Sequence, residues 1–522
     1  MISKFKNLNS SSNHSKVATA QLFRVGILVA FGGFFVTSTT AWCYGVSVEV
    51  ATFFAAWSIC SSFQRLFQAG QLAEISLPRY LKEKEESGLS YAIDRYSLLT
   101  NWVTIASIIL SGVLALIAPS LAELLLPGFD QTQTNKAVEL FRALMPVIPA
   151  IVYGGFLQSL GNAEKQYGRF ELWLFFGQLA AAISVLILHN SLGVWALVWS
   201  AWLTQLVVLI GRLFYLNKVG SRPSLCLWIK GYSPRQLFSE LGLTSTYVGV
   251  TQLYLLSLNA ALTFLPPGLF AVFKYAELLF DRTSSLVLRP VSTVFFTDIS
   301  LEASRGKSGL PKLITNTLAH FADYWGLYFC FIGACATPLI SLAWGNSKFD
   351  WANICLTSEF LTVLAGVSLF RAIGLVFRKY TIAVGSAHWQ YTGYILVQLI
   401  MALITVPIVK TFGFWGGASL LCINILMFGL SDLLVAMTTE IKPITLIPYR
   451  VFIKTFLISL LTIITAKALS DMVYAQTLIP LGNHRIADTI ALIAGGGVVL
   501  IMLEVGGRAI GLGGIKVLFK KS

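Results

Sequence analysis

Residues 98–122, LLTNWVTIASIILSGVLALIAPSLA, form a run of 25 positions without a single charged side chain. An α-helix needs about 20 mainly apolar residues to cross the hydrocarbon core of a bilayer. Because backbone polar groups cannot be left unpaired in lipid, such a run crosses the membrane as a helix. This stretch decides the fold class, since similar runs recur along the whole chain.

The composition of the chain agrees with that interpretation. Of 522 residues, 56% are hydrophobic and only 12% are charged, which is about half the charged share of soluble proteins. We therefore predict an all-α integral membrane protein. The formal net charge of +14 then reflects basic residues in the loops that set the membrane orientation, and we expect no nucleic-acid partner.

About fourteen runs are long and apolar enough to be transmembrane helices. We predict spans at residues 21–45, 47–72, 98–122, 136–160, 170–189, 191–216, 241–265, 268–296, 315–344, 354–377, 385–409, 412–438, 447–470 and 486–512.

The distribution of basic residues predicts the orientation. Most Lys and Arg residues lie in every second loop, which is the pattern expected of cytoplasmic segments. The loops on the other side hold only four basic residues: Lys136, Lys348, Lys410 and Arg485. This alternation predicts an even number of spans, with both termini in the cytoplasm. The short outer loops argue against a membrane glycosyltransferase or ligase, which usually needs a soluble domain.

The predicted span at 268–296 carries the most charge. Helix geometry, at about 100° per residue, places Lys274, Glu277, Asp281, Arg282 and Arg289 along one face. Each such charge costs roughly 2.5–3.5 kcal/mol at the centre of a membrane helix, so the face must look into protein or water. Two explanations stay open: an internal ladder of ion pairs, including Lys274–Glu277 and Asp281–Arg282, or the lining of a cavity.

Two further arginines, Arg24 and Arg65, lie toward the cytoplasmic ends of the first two predicted spans. They either snorkel to the interface or join the cations of the charged span around an inward-facing mouth. Such a set suits a phosphate or diphosphate, because a guanidinium binds two phosphate oxygens at once.

Single charges in or beside other spans are candidates for coupling transport to a cation. We single out Glu49, Asp323 and Asp432, and note Arg371 as a further isolated charge. No nucleophile triad, metal-ligand cluster or phosphate-binding glycine loop is recognisable. We therefore predict a transporter without catalytic residues, metal or cofactor, driven by H⁺, Na⁺ or the membrane potential.

Several short motifs resemble those of the MurJ/MviN lipid II flippases, in the multidrug/oligosaccharidyl-lipid/polysaccharide exporter superfamily. Residues 63–70, FQRLFQAG, with Leu77-Pro78 after them, resemble the motif at the end of that family's second span. Pro127-Gly128-Phe129, Tyr275-Ala276-Glu277 and Lys348-Phe349 resemble three further family motifs.

The resemblance implies two six-helix lobes followed by two C-terminal helices that form a groove for a lipid tail. The predicted parts are a cytoplasmic tail at 1–20, a first lobe at 21–216, a cytoplasmic linker at 217–240, a second lobe at 241–440, and two final spans with a tail at 441–522.

The resemblance also implies a central cavity lined by arginines, and three of those positions differ here. They hold Ala30, Gln64 and Leu278, while Arg24 and Arg65 are kept. Lys274 lies one helical turn from Leu278 and is expected to supply the missing cation. In this scheme Arg24, Arg65, Lys274, Arg282 and Arg289 hold the diphosphate, and Glu277 and Asp281 balance them.

We expect a flippase that moves a polyprenyl-diphosphate-linked saccharide of the lipid II type across a bacterial cytoplasmic membrane. The partners would be this lipid-linked glycan, membrane lipids and cell-wall or polysaccharide-synthesis proteins. The alternatives are an exporter of another lipid-linked glycan (an exopolysaccharide or O-antigen unit), a cation-coupled drug exporter, and a non-transporting scaffold.

Overall fold

The computed structural model describes residues 24–68, 80, 83–164, 168–228, 249–304, 309–383, 387–439, 443–481 and 484–509. Every regular element of two or more turns in these ranges is an α-helix, as predicted. The helices are Arg24–Tyr44, Val48–Gln68, Leu89–Leu116, Ala118–Leu125, Gln131–Leu144, Val147–Ala163, Arg169–Leu192, Trp195–Val219, 249–262, Pro267–Ser304, Leu310–Trp344, Trp351–Ala383, Ala387–Met437, Pro443–Leu446, Tyr449–Leu481 and His484–Ala509.

Ten helical segments in the described part of the chain are long and apolar enough to cross a membrane. They are Arg24–Tyr44, Leu89–Leu116, Gln131–Gly161, Arg169–Leu192, Trp195–Val219, Leu310–Trp344, Trp351–Thr381, Thr392–Met437, Tyr449–Thr477 and His484–Met502. The chain is therefore an all-helical protein with many candidate membrane spans.

Two helices fall outside this set although the sequence predicts that they span. Val48–Gln68 ends in a polar turn that includes Gln64 and Arg65, and Pro267–Ser304 carries the charged face described above. The predicted span at 241–265 is described only from residue 249. Polar side chains thus distinguish Val48–Gln68 and Pro267–Ser304 from the ten apolar helices.

The longest helix, Ala387–Met437, is divided by a kink at Gly413. Gly413 has φ +59° and ψ −138°, a conformation that side-chain-bearing residues rarely adopt. The kink falls directly after Lys410 and Thr411, where the sequence predicts the boundary between two spans.

The chain divides into two compact units. The first contains Met1–Ala271 and Gln398–Gly417, and the second contains Val272–Val397 and Ala418–Ser522. Helices that follow one another pack as neighbours in each unit, such as Arg169–Leu192 with Trp195–Val219 in the first. The lobe boundaries predicted from the order of the spans stay a prediction.

The described part of the predicted linker lies along the helix Leu89–Leu116. The Asn101 amide donates hydrogen bonds to the carbonyl oxygens of Ser224 at 3.0 Å and Cys226 at 2.9 Å. The Ser224 hydroxyl donates to Asp94 at 2.9 Å, and the Trp102 indole donates to the Leu227 carbonyl at 3.2 Å. These bonds fix the chain as far as residue 228 to the first unit.

Candidate functional site

The helix Pro267–Ser304, called the polar helix from here on, is deeply packed along its first half. Tyr275 and Ala276 are fully buried, and Lys274 is buried as well. A lysine with a buried side chain requires a partner, because an isolated buried ammonium costs several kcal/mol or more in desolvation.

Glu277 supplies that partner within the same helix. The Lys274 Nζ lies 2.7 Å from the Glu277 Oε2, and only 8% and 21% of the two side chains are exposed. Residues three apart on a helix face the same side, so the sequence spacing is sufficient to form this pair. This rung of the predicted ion-pair ladder is confirmed.

Asp281, one turn farther along, pairs with a residue from another helix. Its Oδ1 lies 3.3 Å from an Nη of Arg371, which belongs to Trp351–Ala383. The predicted ion pair of Asp281 with Arg282 is present only as a longer-range electrostatic interaction, and the short contact is with Arg371. The side chains of Arg371 and Asp281 are 45% and 54% exposed. Charges so exposed on helices of a membrane protein face water or a polar ligand, because contact with lipid tails would be costly.

Arg282 and its neighbours leave polar atoms unsatisfied next to this pair. The Arg282 Nε and the Ser284 hydroxyl are enclosed and have no hydrogen-bond partner among the described residues. Thr283 is satisfied, because its hydroxyl lies 3.0 Å from that of Tyr328. The Arg282 Nε thus has an unused hydrogen-bond donor among the described residues.

The charges of this region favour an anionic ligand. Between residues 274 and 282 the polar helix carries two cations, Lys274 and Arg282, and two acids, Glu277 and Asp281, and Arg371 lies beside Asp281. Two ion pairs leave one net positive charge. A guanidinium that is partly exposed and weakly paired can bind phosphate oxygens with its planar fork.

The model of the family described as "Lipid II flippase MurJ" matches residues 40–381, about two thirds of the chain. The chain belongs to this family. Its members are named as transporters of a lipid, so the chain is a transporter rather than an enzyme.

Solved structures show the same fold at low sequence identity. MurJ in an inward closed conformation matches with a TM-score of 0.73 and 16% identity, over 94% of this chain and 99% of that one. A MOP superfamily transporter from Pyrococcus furiosus gives a TM-score of 0.57 and 15% identity, over 82% and 96%. An inward-facing multidrug resistance MATE transporter of that superfamily gives 0.57 and 14%, over 83% and 98%. These similarities establish the MOP superfamily fold.

The MurJ-like motif Pro127-Gly128-Phe129 is a packing site in the first unit. The Gly128 N–H donates to the Thr263 hydroxyl at 3.0 Å, and a Cβ atom at Gly128 would lie 2.3 Å from the Thr263 carbonyl oxygen. Phe129 packs edge-on against Phe270, with ring centroids 6.1 Å apart. The glycine is needed because two backbone segments approach each other at this position.

Two other MurJ-like motifs contact each other. The ring of Tyr275 lies 5.3 Å from that of Trp344 and 5.7 Å from that of Phe349, measured between centroids. Tyr275, Trp344 and Phe349 are all fully buried. The motif around residue 275 and the motif around residue 348 are therefore two halves of one aromatic cluster that anchors the start of the polar helix.

The remaining predicted cations are placed as follows. Arg24 and Arg65 are exposed on helices of the first unit. Arg289 lies within the polar helix, and its side chain is outside the described residues, as is the motif segment Leu77-Pro78. Their role in binding a diphosphate stays a prediction.

The predicted coupling acids occupy three different environments. Glu49 is exposed in the first turn of Val48–Gln68, and Asp323 is partly buried in Leu310–Trp344. Asp432 is buried and accepts a hydrogen bond from the Tyr394 hydroxyl. A Cβ atom at Gly374 would lie 2.7 Å from an Asp432 carboxylate oxygen. Asp432 thus lies at a close helix contact, and its coupling role stays a prediction.

Sequence reasoning missed the partner role of Arg371 and overlooked Arg212. Arg212 is only 4% exposed, and its guanidinium donates to the Gly154 carbonyl at 2.7 Å and to Gln158 at 2.9 Å. Gln158 in turn donates to Glu171 at 2.6 Å. Arg212 lies within a predicted span, and burying a charge there is costly. The same argument that singled out the polar helix could therefore have identified Arg212.

A second ionic cluster ties the segment before Leu89–Leu116 to the end of Val147–Ala163. The Tyr80 hydroxyl donates to the Glu164 carboxylate at 2.5 Å, and the Lys84 ammonium lies 2.8 Å from the same carboxylate. Burial, together with the bond to Glu164, raises the pKa of Tyr80 well above its usual value. The phenol therefore stays protonated and keeps donating at any physiological pH.

Proposed function

We propose that this protein is a flippase that moves a polyprenyl-diphosphate-linked saccharide of the lipid II type from the inner to the outer leaflet. The observation that carries the proposal is the partly exposed group formed by residues 274–282 of the polar helix and Arg371, which has one net positive charge, in a member of the MurJ family. A water-accessible guanidinium inside a membrane protein favours an anionic head group over a neutral or cationic drug.

The proposed mechanism is alternating access. The diphosphate binds the cations of the polar helix together with Arg24 and Arg65, and the lobes rock about it to open the site to the other side. The membrane potential can assist, since moving one charge across 100 mV is worth about 2.3 kcal/mol. Coupling to H⁺ or Na⁺ through Glu49, Asp323 or Asp432 is a further proposal.

We propose fourteen spans with both termini in the cytoplasm of a bacterial inner membrane. Dividing Thr392–Met437 at Gly413 turns ten apolar segments into eleven, and the three further spans predicted at 47–72, 241–265 and 268–296 complete the number. Cysteines placed at Lys348 and Lys312 test the orientation, in a chain whose Cys226 and Cys355 are changed to Ser. An impermeant maleimide is expected to label position 348 in intact cells, and position 312 only after permeabilisation.

Two experiments test the substrate. Purified protein in liposomes should move a fluorescent lipid II analogue between leaflets, and expression should rescue cells depleted of their own lipid II flippase. Absence of both activities, with normal expression and folding, would contradict the lipid II proposal.

A different lipid-linked glycan is the second candidate substrate. Ala30, Gln64 and Leu278 replace cavity arginines expected from the MurJ resemblance, so the cationic pattern differs from that of the family. This candidate predicts failure of the lipid II rescue but transport of an exopolysaccharide or O-antigen precursor. Cell-wall or polysaccharide-synthesis proteins are the proposed partners in either case.

A further inference from the structure

The Asp281–Arg371 pair has the features of an ion pair that a ligand can open. A single contact of 3.3 Å joins the two side chains, and each is about half exposed. Bidentate arginine–carboxylate pairs are shorter, at about 2.7–2.9 Å, and hold both partners more tightly. Partly exposed pairs of this kind contribute little to folding, so neither residue is required to hold the second unit together.

Among the described residues, the Arg371 guanidinium has one hydrogen-bond partner, Asp281, and one aromatic contact. Its Cζ lies 5.8 Å from the centroid of the Phe280 ring, within the range of a cation–π contact. Phe280 is buried, so this ring is a fixed support. Arg282, two residues along the polar helix, has an enclosed Nε without a partner among the described residues.

We propose that Arg371 is a phosphate-binding residue of the transport site and that Asp281 occupies its guanidinium when no substrate is bound. This inference rests on the proposed function. A phosphate group carries more oxygen acceptors than the single carboxylate oxygen now in contact, and it can engage the planar fork with two of them. The phosphate displaces Asp281 from Arg371, and the released carboxylate turns toward water.

This arrangement explains why a site for an anion contains an acid. Without Asp281, Arg371 would be an unpaired charge in the membrane-spanning region, which is costly. When Asp281 is paired with Arg371, the net charge of the site is closer to zero. The phosphate then replaces the Asp281 carboxylate as the anion bound to Arg371. Arg371 also supplies, from a different helix, a cation that the polar helix lacks at Leu278.

The test is a double-mutant cycle on the full-length protein in nanodiscs. The variants are Asp281→Asn, Arg371→Gln and the double variant, with Lys312→Gln, an exposed cation outside the site, as control. The probe is polyprenyl diphosphate, compared with polyprenyl alcohol, inorganic diphosphate and nanodiscs rich in an anionic phospholipid. Thermal unfolding of each variant verifies the fold.

We expect Asp281→Asn to raise the affinity for polyprenyl diphosphate about tenfold, because the competing carboxylate is gone. Arg371→Gln is expected to lower it about tenfold or more, and the double variant should bind like Arg371→Gln. Lys312→Gln and the uncharged alcohol should show no such dependence. If Asp281→Asn raises affinity equally when Arg371 is absent, Asp281 does not act through Arg371 and the inference is wrong.

The other probes identify the source of the phosphate and separate the two proposals. Arg371-dependent binding of inorganic diphosphate or the anionic phospholipid, without preference for the polyprenyl lipid, overturns the assignment to the transport site. Wild-type transport of the lipid-linked saccharide with unchanged binding by Arg371→Gln overturns the inference and leaves the function standing. Arg371-dependent binding without transport overturns the function and leaves the subsite standing.

Discussion

At the scale of single residues, the buried guanidinium of Arg212 joins three helices of the first unit, because it also donates to the Phe170 carbonyl of Arg169–Leu192 at 3.4 Å. Its bonds to Gly154 and Gln158 would be lost in Arg212→Met, which fills similar space but leaves acceptors unpaired. We expect a loss of about 1–3 kcal/mol in unfolding free energy. Denaturant unfolding in detergent micelles measures it, with Lys218→Met, an exposed change on the same helix, as control. Equal stability of the two variants would show that the buried bonds contribute nothing.

Gly128 gives a second prediction at this scale, based on space alone. In Gly128→Ala the new methyl group would meet the Thr263 carbonyl oxygen at 2.3 Å, so one backbone segment must move. We expect a destabilisation of about 1–3 kcal/mol and a lower unfolding temperature. Gly112→Ala is the matched control, because nothing lies within 4 Å of its added Cβ atom. A normal unfolding temperature for Gly128→Ala would mean that the segments separate without cost.

The two pairs of the polar helix show which contacts a sequence reveals. Lys274 and Glu277 are three residues apart on one helix, so their spacing predicts the contact. Asp281 and Arg371 are 90 residues apart, and nothing in the local sequence of either specifies the other. Helical periodicity therefore predicted the charged face, but the packing of two distant helices decides its partner.

At the scale of secondary structure elements, the shape of the helix Ala387–Met437 depends on one residue, because its kink lies at Gly413. Its combination of φ +59° and ψ −138° is nearly exclusive to glycine, so Gly413→Ala should cost about 1–3 kcal/mol. Gly496→Ala, at an open position inside a helix, is expected to be neutral or slightly favourable. Thermal unfolding of both variants in micelles compares them. A neutral Gly413→Ala would show that the kink relaxes freely.

Apolar runs predicted the helices well. Hydropathy identified a membrane span least clearly where the helix carries polar residues. The boundary at Gly413 follows from two apolar runs separated by Lys410 and Thr411. Val48–Gln68 and the polar helix are found as helices, yet their composition alone does not mark them as spans. The residues that make these helices suitable for a transport site also weaken their signal in hydropathy.

At the scale of the whole molecule, the cations should act together on transport. We expect Arg65→Gln, Lys274→Gln and Arg282→Gln each to lower flipping of the lipid-linked substrate in liposomes, by about tenfold or more for the last, whose enclosed Nε has no hydrogen-bond partner among the described residues. Lys312→Gln serves as control. If all three variants transport normally, the charged face is only a structural ladder and does not bind the substrate.

The sequence motifs predict the family of this protein, but they do not predict its substrate. Family membership follows from motifs whose structural roles are now explained, such as the close approach at Gly128 and the aromatic cluster around Tyr275. The sugar that the lipid carries depends on the shape of the complete site and on the altered positions Ala30, Gln64 and Leu278. Short motifs encode packing, whereas the choice of substrate is distributed over many helices.

The Asp281–Arg371 pair also has a consequence for biosynthesis. Lys274 and Glu277 can enter the bilayer as a neutral pair. Asp281 gains its contact with Arg371 only after 90 more residues have been synthesised. At about 5–20 residues per second, that delay is about 5–20 s. A chain truncated after Gly345 is therefore expected to insert Pro267–Ser304 somewhat less completely than one truncated after Ala383, which contains Arg371. A compartment-sensitive reporter fused after Gly345 or after Ala383 would show whether Trp351–Ala383 must be synthesised before the translocon releases Pro267–Ser304.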